Sequence, residues 1–241
     1  MWNSVFVAFL VIAGSTAFVF RDCDLKKCDK FKITGIRPDM APNEQQLLQV
    51  CGIMLERFSC IDNSIKDCTG QDLEELSSSD NTTVADTSTM LFNLQRLGVD
   101  LCDEDSLLHA SYVANVDCFN DFLRKPHPEC LEEANTVYEA YIQAQKVLGA
   151  VKTLTEEAQD AECLITAHTV ACATILLGEE CGEVARTTLV EVMRRVRYMS
   201  LSMDVCTKEQ FEMLKTGYLG FVELEEPRKS YFRQAFEAGK K

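Results

Sequence analysis

Residues Ala161–Cys206 read AECLITAHTVACATILLGEECGEVARTTLVEVMRRVRYMSLSMDVC, two amphipathic helical stretches punctuated by four cysteines. Cys163 and Cys172 are nine residues apart, as are Cys172 and Cys181, which on a helix is about two and a half turns and about 13.5 Å of rise. Bridged Cα atoms sit about 5.5 Å apart, so neighbours in this series cannot bond to each other. Successive members of a continuous helix at this interval also face opposite sides. Cys172 must therefore find its partner on another segment, and the cysteines are expected to act as staples between helices.

Working outward, the same 3.6-residue periodicity recurs along the chain. A first helix is expected from Asn43, which caps it, with Leu47, Leu48, Cys51, Met54, Leu55 and Phe58 as its apolar stripe, ending around Asp62–Ser64. Others are expected over about 86–101, 104–123 and 132–153, the last with Leu148 and Val151 facing inward. Thr155 with Glu156 and Glu157 supplies a new N-terminus for the helix of Cys163 and Cys172, and Gly178 its end. Val184 to Met199 and 207–222 complete about seven helices. No β-branched alternation bounded by hairpin turns is found, so the fold class is all-α, a disulfide-stapled helical bundle. The organisation is a signal peptide over 1–17, a disulfide-tied arm over 18–42, a first helical unit with a long connecting helix over 43–154, a second unit over 155–224 and a C-terminal tail over 225–241.

The first twenty residues carry no Lys, Arg, Asp or Glu and hold an apolar run from Val5 to Ala13, with Ser15 and Ala17 behind it. That is the pattern of a secretory signal cleaved after Ala17. No later segment is expected to be long and apolar enough to span a membrane. The twelve cysteines, Cys23, Cys28, Cys51, Cys60, Cys68, Cys102, Cys118, Cys130, Cys163, Cys172, Cys181 and Cys206, all lie outside the signal and fit disulfides in an oxidising compartment. Zinc would need repeated short Cys pairs with His. Only Cys23/Cys28 has such a spacing, and His109, His127 and His168 stand far from it, so no metal site is expected. The net charge of −14 disfavours nucleic acid and anionic lipid as partners. Asn81-Thr82-Thr83 is the one N-x-S/T sequon, in a polar stretch from Ser77, and marks Asn81 for glycosylation in a secreted protein.

An internal repeat is expected. Cys51-x8-Cys60-x7-Cys68 matches Cys163-x8-Cys172-x8-Cys181, and each triplet is followed by an apolar helix, ending in Asp100-Leu101-Cys102 or Asp204-Val205-Cys206. Two related helical units would explain this, and equivalent disulfide pairings in both would test it. Cys118 and Cys130 find no counterpart, and one of them is expected to pair within the Cys23/Cys28 arm.

Cys102, Asp117-Cys118-Phe119, Cys130-Leu131, Cys163, Cys172, Cys181 and Cys206 carry a likeness in cysteine pattern and length. On them the chain resembles secreted, cysteine-rich helical arthropod proteins of the 27 kDa hemolymph glycoprotein type. The resemblance implies a circulating glycoprotein without known catalysis and brings no functional residues. An enzyme is not expected, and no catalytic or cofactor-binding residue is assigned: there is no G-x-S-x-G, H-E-x-x-H or phosphate-binding glycine loop. Cys163-x4-His168-x3-Cys172 only echoes the phospholipase A2 helix motif, because Thr169 follows His168 and no adjacent Asp orients the imidazole. The expected function is therefore binding or bulk presence in extracellular fluid, with an unknown extracellular protein or a small apolar ligand as partner. An apolar-ligand carrier could line its pocket with Phe58, Met90, Phe92, Tyr112, Phe119, Tyr138, Met193 and Met199, although helical spacing makes them ordinary core first. A toxin-like or gland-secreted component is the third class.

Overall fold

The computed structural model describes residues 19–31, 40–149, 153–195 and 208–237, and among these there are helices and no strand. The expected signal peptide, with Ala17, and also Met199 and Cys206 lie outside the described residues. A 3₁₀ segment, Leu25–Lys30, is followed by α1 (Glu44–Thr69), α2 (Leu73–Leu76), α3 (Thr82–Cys102), α4 (Leu107–Arg124), α5 (Pro128–Val147), α6 (Leu154–Cys181), α7 (Glu183–Arg195), α8 (Lys208–Phe221) and α9 (Arg228–Glu237). Seven of these are the helices expected from periodicity, and α2 and α9 are additional. Residues 1–123 and 124–241 form two compact units. The division places α5 with α6, against which it packs, rather than with the first unit.

Caps explain most of the boundaries. Asn43 starts α1 as expected, with Gln46 closing a reciprocal capping box at 2.9 and 3.0 Å. The helix does not stop near Asn63. It runs on to Thr69 and ends at Gly70, whose φ of 79° is the left-handed conformation that favours glycine. For α6 the cap is Thr153 with Glu156, not Thr155, and the helix passes Gly178 to end at Gly182, φ 87°. Helix α5 ends at Val147, so Leu148, expected to face inward, is 80% exposed.

In the first unit, α1 and α2 pack on α3, and the 3₁₀ segment lies on α1. Gly98 permits the α1–α3 approach: a Cβ there would sit 3.3 Å from both Met54 Cε and Phe58 Cε2. The chain before α1 is held to α4 by the buried amide of Asn120, which accepts from Ala41 N at 2.7 Å and donates to Ala41 O at 3.0 Å. Tyr112 adds a hydroxyl bond to Pro42 O at 2.6 Å.

The second unit is organised around α6, which α5, α7, α8 and α9 pack against. It buries residues on every side, among them Cys163, Leu164, Ala167, Val170, Ala171, Cys172 and Ile175. That is the property of a central helix. It corrects the expectation that no segment beyond the leader could span a membrane: Thr155–Cys181 is long and apolar enough by length and composition, and its apolar stretch is mostly buried inside this unit.

Sulfur joins these elements as the spacing requires. Cys23 is bonded to Cys68, Cys28 to Cys60, Cys51 to Cys102 and Cys130 to Cys172. Cys118, Cys163 and Cys181 are also disulfide-bonded, and no described cysteine is free. The expectation that Cys118 or Cys130 pairs within the N-terminal arm is corrected, because both arm cysteines are taken by α1. The bond from Cys130 on α5 to Cys172, the middle cysteine of α6, parallels that from Cys28 to Cys60, the middle cysteine of α1. If the two units are copies, Cys28 is the counterpart of Cys130.

Candidate functional site

Among the described residues, the densest arrangement of chemistry-bearing side chains lies in the second unit, around His168. The imidazole is fully buried near the middle of α6. Its Nδ1 lies 2.8 Å from the hydroxyl of Tyr218 on α8, and its Nε2 lies 3.2 Å from Oε1 of Glu133 on α5. Arg228, on α9, donates from Nη2 to the other carboxylate oxygen at 2.8 Å. Phe232 of the same helix closes over the imidazole with ring centroids 4.7 Å apart. Both ring nitrogens of His168 are thus engaged, with the donor and acceptor roles set by the tautomer.

The electrostatics follow from those contacts. The His168 hydrogen bond, aided by the charge and hydrogen bond of Arg228, holds the Glu133 carboxyl below its usual range against the opposing effect of burial. Burial pushes the Tyr218 phenol upward, and the nearby Glu133 charge pushes the same way. The Tyr138 phenol is raised to about 12, first by burial and then by Asp160, and its hydroxyl donates to Glu157 O at 2.9 Å. His168 thus has an orienting carboxylate that a search for a neighbouring Asp along its own helix could not reveal. Both rings of the His168–Tyr218 pair are enclosed, and the hydrogen bonds couple α6 to α5 and α8.

A buried cation, Arg186, also anchors α9. Arg186 is 2% exposed, forks onto Glu183 at 2.8 and 2.6 Å, and donates to Gln234 at 3.1 Å. Its guanidinium carbon lies 3.9 Å from the Tyr231 ring centroid. Its stem crosses Gly178, where a Cβ would meet Arg186 Cδ at 3.0 Å. The segment read as a C-terminal tail therefore contains a docked helix.

The remaining expected residues are dispersed. His109 Nδ1 bonds Leu101 O at 2.7 Å and links α4 to α3, while His127 lies 3.4 Å from Glu129. Among the described residues no three His, Cys, Asp or Glu side chains converge as a metal site would require. Asn81 is exposed at the N-terminus of α3, and its Oδ1 accepts from Thr83 N at 3.1 Å and Val84 N at 3.3 Å. The amide nitrogen that would carry a glycan is not used in this cap. Met90, Tyr112, Phe119, Tyr138 and Met193 are core residues distributed over both units. Of the carrier candidates, Phe92 lines an open groove of about 320 Å³ in the first unit, together with Asp62, Asp72, Leu73, Glu74, Gln95, Arg96 and Val99.

Comparison of the chain with protein-family models, with curated proteins and with solved structures finds no match.

Proposed function

We propose that this is a secreted, non-enzymatic protein of the hemolymph-glycoprotein kind that acts by binding or by bulk presence in extracellular fluid. The observation that carries the reading is the bonded state of every described cysteine. Such a set of disulfides fits an extracellular protein, because cytosolic thiols are kept reduced. The apolar leader, the exposed sequon at Asn81 and the net charge of −14 agree with a soluble glycoprotein of that compartment. Full enclosure of the imidazole and phenol in the Tyr218–His168–Glu133 arrangement supports a structural role for it, since a general base must reach its substrate's proton.

The test is expression of the full chain in a eukaryotic secretory cell. The expected product appears in the medium, begins at Phe18, carries a glycan at Asn81 and shows no titratable thiol until it is reduced. Retention inside the cell with reduced cysteines would overturn the proposal.

A further inference from the structure

The groove between the second half of α1, α2 and the middle of α3 combines an apolar floor with an acidic rim. We propose that it is a binding site for a small organic cation, an aryl-alkyl ammonium ion, which names a ligand class for a protein read above as acting by binding. Its volume of about 320 Å³ falls at the lower end of the roughly 300–1,000 Å³ typical of small-molecule clefts. Half-buried Phe92 and exposed Val99 supply apolar surface for a ring or short alkyl chain, over the buried Leu73. The Phe92 face already attracts a cation, with the Arg96 guanidinium carbon 5.6 Å from its centroid.

Charge decides which ligand this surface suits. Asp62, Asp72 and Glu74 line the groove against the single lining cation of Arg96, and Lys66, outside the lining, pairs with Asp72 at 3.4 Å. The caps use part of this acidity: Asp62 Oδ1 accepts from Leu73 N at 3.1 Å, and Asp72 Oδ1 accepts from Glu75 N at 3.0 Å. That leaves a second oxygen on Asp62 and the whole exposed carboxylate of Glu74 to face an ammonium group. An anionic amphiphile of the same shape would have Arg96 alone, on a chain whose net charge is −14. An ammonium ion resting its ring on Phe92 and Val99 satisfies both halves of the groove.

Isothermal titration of the full secreted chain with phenethylammonium, 2-phenylethanol and 3-phenylpropionate tests this directly. The ammonium ion is expected to bind and the alcohol and carboxylate to bind at least several-fold more weakly, with the ammonium affinity falling as salt is raised. Glu74→Gln, at an exposed position outside any cap, is expected to weaken binding by about 2- to 5-fold. Phe92→Ala, checked for retained helix content, is expected to weaken it about tenfold. No binding of the ammonium ion, equal binding of the alcohol, preference for the carboxylate, or an unchanged affinity in Glu74→Gln would each overturn the site. A chain that is secreted with bonded cysteines yet fails to bind overturns this inference alone and leaves the extracellular reading standing.

Discussion

Removing the bond between Cys130 and Cys172 tests the central physical claim, that sulfur holds α5 to α6. The bond closes a separation of 42 residues. The chain-entropy relation gives about −13 cal/mol/K for a loop of that length, or about 4 kcal/mol at 25 °C. Other bonds on α6, at Cys163 and Cys181, already restrict the unfolded chain and pull this figure down. Loss of two sulfur atoms from sites that are essentially closed to solvent leaves small voids and pulls it back up by about 1 kcal/mol. The double variant Cys130→Ala/Cys172→Ala is therefore expected to lose about 3–5 kcal/mol, a large part of the roughly 5–15 kcal/mol that stabilises an ordinary domain. The assay is urea unfolding followed by far-UV circular dichroism, with thiol titration confirming that the remaining bonds are formed. The urea slope should rise, because an unfolded chain freed of a crosslink exposes more surface. A loss below about 1 kcal/mol with an unchanged slope would refute the reasoning, since the bond would then be restraining nothing that the packing does not already fix.

Four further outcomes follow from the same contacts. Glu133 is held ionised in the fold below its ordinary range, so the stability it contributes is present above the unfolded carboxyl pKa of about 4.3 and is lost as pH falls through the lower folded value. Glu133→Gln should flatten that acid limb in pH-dependent thermal melts, and an unchanged limb would exclude Glu133 as its source. Tyr218→Phe leaves His168 Nδ1 without its partner in a closed site and should cost about 1–3 kcal/mol in urea unfolding. Thr83→Ala removes the sequon while keeping the Asn81 cap, whereas Asn81→Gln removes both. The two variants should lose the same glycan mass on a gel, and only Asn81→Gln should in addition lose about 1 kcal/mol of stability. If the two halves are copies of one unit, non-reducing peptide mapping should find Cys163 joined to Cys206, the counterpart of Cys51–Cys102, and any other partner for Cys163 would count against duplication.

What was legible in the sequence was what periodicity and covalent reach determine. The stripe of Leu47, Cys51 and Met54 placed α1, and the nine-residue cysteine intervals required that Cys172 bond elsewhere. The boundaries were misread where an apolar pattern and a cap compete. Gly178 looked like a helix end because glycine so often ends helices, yet here it sits inside α6 to let the Arg186 stem pass. Thr155 looked like a cap, and Thr153 two residues earlier was the better one, because its hydroxyl accepts from Glu156 N and the Glu156 carboxylate reaches back to Thr153 N at 2.8 Å. The partners of His168 were not legible at all. Glu133 lies 35 residues before it and Tyr218 50 residues after it, and no spacing rule connects side chains that only tertiary packing brings together.

The same reasoning explains why α6 carries so much bonded sulfur and the buried polar chain as well. A helix apolar on all sides has a weak preference for any one rotation, since each face can bury about equally well. Fixing its register needs interactions that are directional. Cys172 bonded to Cys130 sets one face against α5, and His168 between Glu133 and Tyr218 sets its orientation against α5 and α8, because a quarter-turn slip would leave a closed imidazole with neither partner. Substituting His168 by Leu should therefore do more than alter stability. With the bond intact, the variant should keep its helix content while losing near-UV circular dichroism from the Tyr141–Tyr218 edge contact, whose ring centroids are 5.3 Å apart. A variant with native near-UV signal would show that hydrophobic packing and sulfur alone are enough to position this helix.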